Sequence, residues 1–241
     1  LEGDGLGRKG VRWYDRYGGQ YISVTSVLSL AVNKPALVGW AAKQGAMGGA
    51  GAPFSKSRSA ALRGKDIHQW VEARATGGRE PDFDPSLRGY FEIAERFLLK
   101  YKVRFLASER IVYNDAHLYA GTMDALAELT IPESGERVTA VLDWKTTSDE
   151  AKLQKYPPYD EHHMQVEAYR QAWLLNNPHQ PVSLEGIVRL PPSGIGTFHM
   201  WGSPHNERAW DGFLHALGVA RYLLSRDDDT LAAWGGLRDN I

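Results

Sequence analysis

The sequence predicts an α/β chain with a mixed central β-sheet flanked by helices and a helical lobe at its N-terminal end. Three observations predict it. Apolar residues recur at helical spacing through much of the first hundred residues and again over 160–177 and 206–225. Between 104 and 146, three β-branched, apolar runs follow one another: "RFLASERIVYN", "LYAGTMDALAELT" and "RVTAVLDWKT". Two further strand-like runs, "SLEGIVRLP" and "GTFHMWG", come only after an intervening helix. Helices, then a meander, then more strands beyond a helix read as a layered domain with a mixed sheet. The 241 residues read as one domain, with the lobe over 20–103, the core over 104–203 and a C-terminal helix over 206–225.

Each element has a local reason. Residues 1–10 are polar and Gly-rich and read as loose. "VRWYDRYGGQYISV" reads as a hairpin turning at Gly18-Gly19. Thr25 or Ser26 is placed to cap a short helix over "VLSLAV". "KPALVGWAAKQGA" is a second helix, with Pro35 in its first turn. "GAMGGAGAPF" has little side-chain bulk and reads as a loop. A helix follows over 56–75, then another over "DPSLRGYFEIAERFLLKYKV" with Asp84 at its cap. "PESGE" turns the chain between the second and third strands of the meander. "DEHHMQVEAYRQAWLLNN" is a helix that stops before Pro178, and "DDD" at 227–229 reads as a solvated loop.

Composition excludes several chemistries. Without cysteine there is no disulfide, no cysteine nucleophile and no cysteine-bound zinc or iron–sulfur cluster. No apolar run is long enough to span a bilayer, and the first residues do not form a signal peptide. The net charge is −1, yet no Asp or Glu occurs from Arg16 through Lys65, a block that holds Lys43, Lys56, Arg58 and Arg63. A local positive field of this kind suits a polyanion even when the total charge is near zero.

The chemistry starts at "VLDWKTT", residues 141–147. Side chains alternate across a strand, so Asp143 and Lys145 share a face. From this segment alone they are either a structural ion pair or part of a site. The preceding strand carries Asp124 in "AGTMDALAEL", and antiparallel pairing can bring it near Asp143. Two approaching carboxylates call for a cation between them or a proton on one of them. Oxygen donors favour Mg²⁺ or Mn²⁺. Lys145 beside such an ion would stabilise charge on a phosphate or orient and deprotonate a water, and a nearby cation would lower its pKa. Two carboxylates, a lysine and a metal are what phosphodiester hydrolysis requires.

At this point the sequence resembles a known family. "GKDIH", "GTMD", "DWK" and "QVEAY", in that order, are similar to the motifs of the PD-(D/E)XK nuclease superfamily in its RecB-like exonuclease branch. "SVTSVLSLAVNKPALVGWAAKQG" resembles the helical N-terminal lobe of that branch, and the likeness covers roughly residues 20–200. The resemblance implies a restriction-endonuclease-like core and a Mg²⁺- or Mn²⁺-dependent, sequence-independent DNA exonuclease. Such an enzyme acts in recombination, repair or replication, in the cytoplasm of a bacterial or phage-infected cell. Its partner would be DNA, as single strands or ends. The resemblance names no recombinase, helicase or single-strand-binding partner. Carried over, Asp124 and Asp143 would be metal-binding carboxylates, with the Trp144 carbonyl a further ligand. Lys145 would be the catalytic lysine and His68 the helical histidine ligand of the branch. Gln165 and Tyr169 would be its Q-x-x-x-Y pair, orienting catalytic groups or substrate; four apart, they share a helix face. Met123 stands where other branches carry proline, and the absence of cysteine excludes the iron–sulfur cluster of some relatives. Lys56, Arg58, Arg63 and Lys65 lead toward His68 and are expected to contact nucleic acid, together with Tyr169.

Some residues keep two readings. Glu109 is either a third carboxylate at the metal or a residue outside it. The 45–53 loop is either a linker or a flap over single-stranded DNA. His162 and His163 are adjacent on a helix, so they diverge and read as solvent-facing. Two other functions compete. A nuclease-like DNA-binding module that no longer cuts has no reason to retain the full Asp, Asp, Lys set. A two-carboxylate glycosidase gives Lys145 no task.

Overall fold

The computed structural model describes residues 6–7, 10–33, 35–49, 51–148 and 150–225; the 227–229 run and most of residues 1–10 lie outside it. The chain runs β1 (Leu6–Gly7), β2 (Val11–Arg16), β3 (Gly19–Ser23), α1 (Val24–Ala31), α2 (Pro35–Gly48) and α3 (Ala52–Thr76). A 3-10 turn (Pro85–Leu87) leads into α4 (Arg88–Lys100), β4 (Arg104–Asn114), β5 (Tyr119–Thr130) and β6 (Arg137–Thr146). Then come α5 (Glu150–Lys155), α6 (Asp160–Asn176), β7 (Leu184–Leu190), β8 (Thr197–Trp201) and α7 (His205–Leu224). The fold is the expected α/β architecture with a mixed sheet. No helix among the described residues is long and apolar enough to cross a membrane.

Local chemistry corrects several boundaries. The hairpin turns one residue early: Tyr17 (φ 51) and Gly18 (φ 77) are both left-handed, as a two-residue type I′ turn demands, and Gly19 pairs with Arg16. Ser23 caps α1, its hydroxyl accepting the Ser26 N–H at 3.0 Å, so Thr25 and Ser26 already lie inside the helix. Most of the expected 45–53 loop is helix, because α2 runs to Gly48 and α3 begins at Ala52 with Pro53 in its first turn. Asp84 caps as expected, accepting the Ser86 N–H at 2.9 Å, but what it opens is the 3-10 turn. The short helix α5 carries no periodicity long enough to have been read.

The sheet explains where a site can form. β5 is its pivot. Along one edge it pairs antiparallel with β4, from Arg104↔Glu128 to Asn114↔Tyr119. Its other edge is shared by two strands. β3 pairs parallel at Tyr119 and Ala120, and β6 pairs antiparallel from Ala125 to Thr130. Residues 121–124 lie in the fork between those pairings. The lobe is therefore not purely helical, since its hairpin joins the sheet. Beyond β6, β7 pairs parallel and β8 antiparallel, completing an eight-stranded sheet among the described residues.

Two apolar layers cover the sheet. Ile22, Val141, Val166, Tyr169, Phe213 and Leu217 join α1, α6 and α7 to one face. Ile67, Trp70, Phe91, Phe97, Leu142 and Trp144 join α3 and α4 to the other. Along β5 the alternation changes phase. Met123 belongs to the α6–α7 layer, whereas Ala125, two residues on, belongs to the α3–α4 layer. Asp124 sits at that change. Glu109 occupies the position across from it, between the pairs Ser108↔Ala125 and Arg110↔Met123, and has a left-handed backbone (φ 46).

Between α6 and β7 lies a buried acidic pair, Glu167 on α6 and Glu185 on β7, both essentially inaccessible. Arg170 serves both: its Nε is 2.7 Å from Glu167 Oε2 and 3.5 Å from Glu185 Oε1. Burial, then the neighbouring Glu167, pushes the Glu185 carboxyl from its ordinary 4.5 up to about 10. The folded chain thus holds a proton that the unfolded chain has released, so this group loses stabilising power as pH rises through that interval. Glu185→Gln should flatten the loss of stability between about pH 6 and about pH 10 and melt higher than the wild type at the alkaline end. Paired thermal melts across that range test this; parallel curves would refute the retained proton on Glu185.

Candidate metal centre and active site

Ile67, Trp70 and Val71 anchor α3 to the sheet, and His68 lies on that anchored stretch at the fork. Its Nδ1 is 3.1 Å from Glu109 Oε1 and 3.6 Å from Asp124 Oδ1, and its Nε2 is 3.3 Å from the Trp144 carbonyl oxygen. One donor atom from each of His68, Glu109 and Asp124 lies within 4.8 Å of the others, a group that could hold a metal ion. Donors roughly 2.0–2.6 Å from a shared ion are separated by up to about 5 Å, so the spacing fits one cation with little adjustment.

The fork dictates how Asp124 is held. β5 and β6 have parted there, so the Trp144 N–H finds a side chain: it donates to Asp124 Oδ2 at 2.9 Å. Oδ1 turns toward His68. Burial, then the charge of Asp143, raises the Asp124 carboxyl to about 7. The His68 imidazole is shifted upward too, which for this group favours the charged form. Burial works against its charge, but Asp124 and Glu109 prevail and hold its pKa up at about 9. Its imidazolium therefore neutralises the acids when no ion does, and coordination would expel that proton. Glu109 reaches the group from a backbone conformation that costs about 1–3 kcal/mol, strain of the kind found at functional positions.

Asp143 stands next to this group and points to a second set of partners. Lys145 Nζ is 2.9 Å from Asp143 Oδ1 and 2.8 Å from Oδ2. Gln165 Nε2 donates to Asp143 Oδ1 at 3.1 Å and to Tyr169 Oη at 3.2 Å, while its Oε1 accepts from Lys145 at 3.3 Å. Lys145 and Asp143 are thus an ion pair and also neighbours of the metal group, so the two readings of "DWK" coincide. Burial disfavours the ammonium, but Asp143 and then Asp124 raise its pKa. A bound cation acts in the reverse direction. Gly121 makes room for Tyr169: a Cβ there would clash with the Tyr169 ring. Burial, then the charges of Asp124 and Asp143, drives that phenol well above its usual range.

Other expected residues lie apart from this cluster. Lys56, Arg58, Arg63 and Lys65 precede His68 along α3. Lys56 donates to Gln44, Arg58 and Lys65 are exposed, and the Arg63 guanidinium lies 5.6 Å from the Tyr90 ring centre. His163 is not solvent-facing. It is buried against Trp201, with Nδ1 3.1 Å from Nε2 of His205, partners supplied by β8 and α7 that helical spacing does not reveal. Glu109 emerges as a member of the metal group; aligning β4 against β5 is the step that would have placed it across from Asp124.

No family model matches the chain, and no curated protein does. Among solved structures, the crystal structure of SSO0001 aligns with a TM-score of 0.35 and 15% identity, covering 81% of this chain and 75% of its own. The crystal structure of LHK-Exo in complex with dAMP aligns with a TM-score of 0.36 and 11% identity, covering 85% of this chain and 91% of its own.

Proposed function

We propose that the chain is a metal-dependent deoxyribonuclease of the PD-(D/E)XK type, an exonuclease that hydrolyses DNA without reading its sequence. One observation carries the reading: a three-residue metal-holding group adjoins a lysine that is held in place by a carboxylate and an amide. His68, Glu109 and Asp124, with Asp143 and the Trp144 carbonyl beside them, would hold Mg²⁺ or Mn²⁺. The ion supplies charge neutralisation at the scissile phosphate and lowers the pKa of water. Asp143 and Gln165 fix the Lys145 ammonium, which presents positive charge where a phosphate oxygen gains negative charge. Tyr169 holds the Gln165 amide in register. End-labelled DNA incubated with and without Mg²⁺ tests the reading. Shortened products should appear only with the ion, and cutting that persists in excess chelator would refute it.

The basic stretch before His68 gives the substrate path. Contacts to phosphates supply affinity without sequence preference and make it salt-dependent. Arg63→Ala with Lys65→Ala should weaken binding equally on unrelated sequences. The salt dependence should flatten by about two units at most, roughly one per lost phosphate contact. Neither residue can ligate a cation, so metal-induced stabilisation should survive. Titrations at several salt concentrations read the slope; an unchanged slope would mean this face is merely solvated.

A further inference from the structure

One strand beyond Lys145, the sheet carries a second cation on the same face. Arg189 of β7 is the register partner of Lys145 on β6. Paired residues on neighbouring strands project to one side, about 4.8 Å apart at the backbone. The packing agrees with this: Val188 and Leu190 belong to the α3–α4 layer, whereas Ile187 belongs to the α6–α7 layer. Alternation therefore puts Arg189 under the start of α6, beside Lys145.

The two cations are neutralised differently. Asp143 meets the Lys145 ammonium, and Glu161 on the first turn of α6 adds to the same effect. Among the described residues no carboxylate meets Arg189. The Tyr159 phenol favours its charge, and burial opposes it. Its bonded partner is neutral, since Nη1 donates to the Tyr156 carbonyl oxygen at 2.6 Å. On its other side the register partner is Thr197 of β8, a hydroxyl. Arg170, under the same helix, has two carboxylates for its guanidinium. A half-buried guanidinium that lacks an acid is costly unless a ligand supplies the negative charge.

The contact with Tyr156 also aims the group. It ties one N–H to the 156–159 loop and so fixes the guanidinium plane, leaving other donors of the fork for a further acceptor. Pro157 and Pro158 stiffen that loop. Lys155 brings a further cation to it, with Nζ 5.3 Å from the Tyr156 ring centre. Sheet order sets the line of the site. Glu109 and Asp124 of the metal group come from β4 and β5, Lys145 from β6 and Arg189 from β7.

We propose that Arg189 binds the phosphodiester next to the one that is cut, holding the strand on the side of Lys145 away from the metal group. The inference rests on the nuclease reading above and adds a place for the neighbouring nucleotide. A phosphate supplies what this position lacks, a negative charge and paired oxygens that match the fork. It is a contact to backbone and not to a base, in keeping with cutting that ignores sequence.

The test crosses Arg189→Gln with a change in the substrate. Oligonucleotides, single-stranded and annealed, carry one neutral methylphosphonate linkage either one step inside one end, one step inside the other, or at mid-strand. On unmodified DNA the variant should lose about tenfold or more in single-turnover cutting with Mg²⁺, the cost of one charge-assisted contact. The wild type should lose a similar factor on one of the end-modified strands, and the variant should lose nothing further there, because both changes remove the same contact. Arg189→Lys, which keeps the charge, should recover part of the rate; it also takes the place of Arg189→Gln in the cross if that variant melts below the assay temperature. Were Arg189 only a brace for the 156–159 loop, the two losses would multiply on every modified strand. That outcome, or unchanged cutting by Arg189→Gln, overturns the contact and leaves the nuclease reading standing. A wild type that cuts no strand with Mg²⁺ or Mn²⁺ fails the nuclease reading itself.

Discussion

Asp124→Asn should leave a folded chain that no longer cuts DNA. The Asn amide retains an oxygen for the Trp144 N–H, so the fork stays satisfied and no buried donor is stranded. What disappears is the negative charge facing His68 and Glu109. The rate should fall by more than about 10²–10³-fold, the typical cost of one lost preorganised electrostatic contact. The rise in melting temperature that Mg²⁺ or Mn²⁺ gives the wild type should vanish as well, because an ion stabilises only the form that binds it. Asp124→Ala would be the poorer probe, since it also strands a buried N–H. Thermal melts with and without the ion, beside single-turnover cutting, read both effects. A variant that still gains stability from the ion would remove Asp124 from the metal group.

Lys145→Ala should act on two quantities together. It takes away the cation at the phosphate, with an expected rate loss of about 10²–10³-fold. It also leaves the Asp143 carboxylate, almost fully buried, without its ammonium, and breaking a buried pair from one side costs about 3–5 kcal/mol. Thermal melts and single-turnover cutting, the latter at a temperature where the variant is fully folded, separate the two losses. A folded Lys145→Ala variant that loses stability but cuts at the wild-type rate would make Lys145 purely structural.

Much of the site was legible because its parts are local. Alternation on a strand put Asp143 and Lys145 on one face, and helical spacing put Gln165 and Tyr169 on one face. The structure joins those two faces through Gln165. What alternation did not reveal is the phase change at Asp124, which depends on two strands, β3 and β6, sharing one edge of β5. Glu109 was ambiguous for the same reason. A strand seen alone has two faces, and only pairing with β5, together with a left-handed residue that sequence does not announce, aims that carboxylate at His68. The hairpin was visible, but its parallel pairing with β5 joins segments far apart in the chain. His163 was misread because its partners come from two distant elements.

The irregularity of β4 has a second consequence. Among the described residues no strand pairs with the outer edge of β4, which makes it a template on which another unfolding chain could assemble. Its register slips between Phe105 and Ala107, and its backbone turns left-handed at Glu109, so the open edge offers no long straight ladder. Arg104 and Arg110 add exposed charge along the same strand. The kink that brings the Glu109 carboxylate to His68 thus also guards the open edge, and a sequence that straightened β4 would lose both.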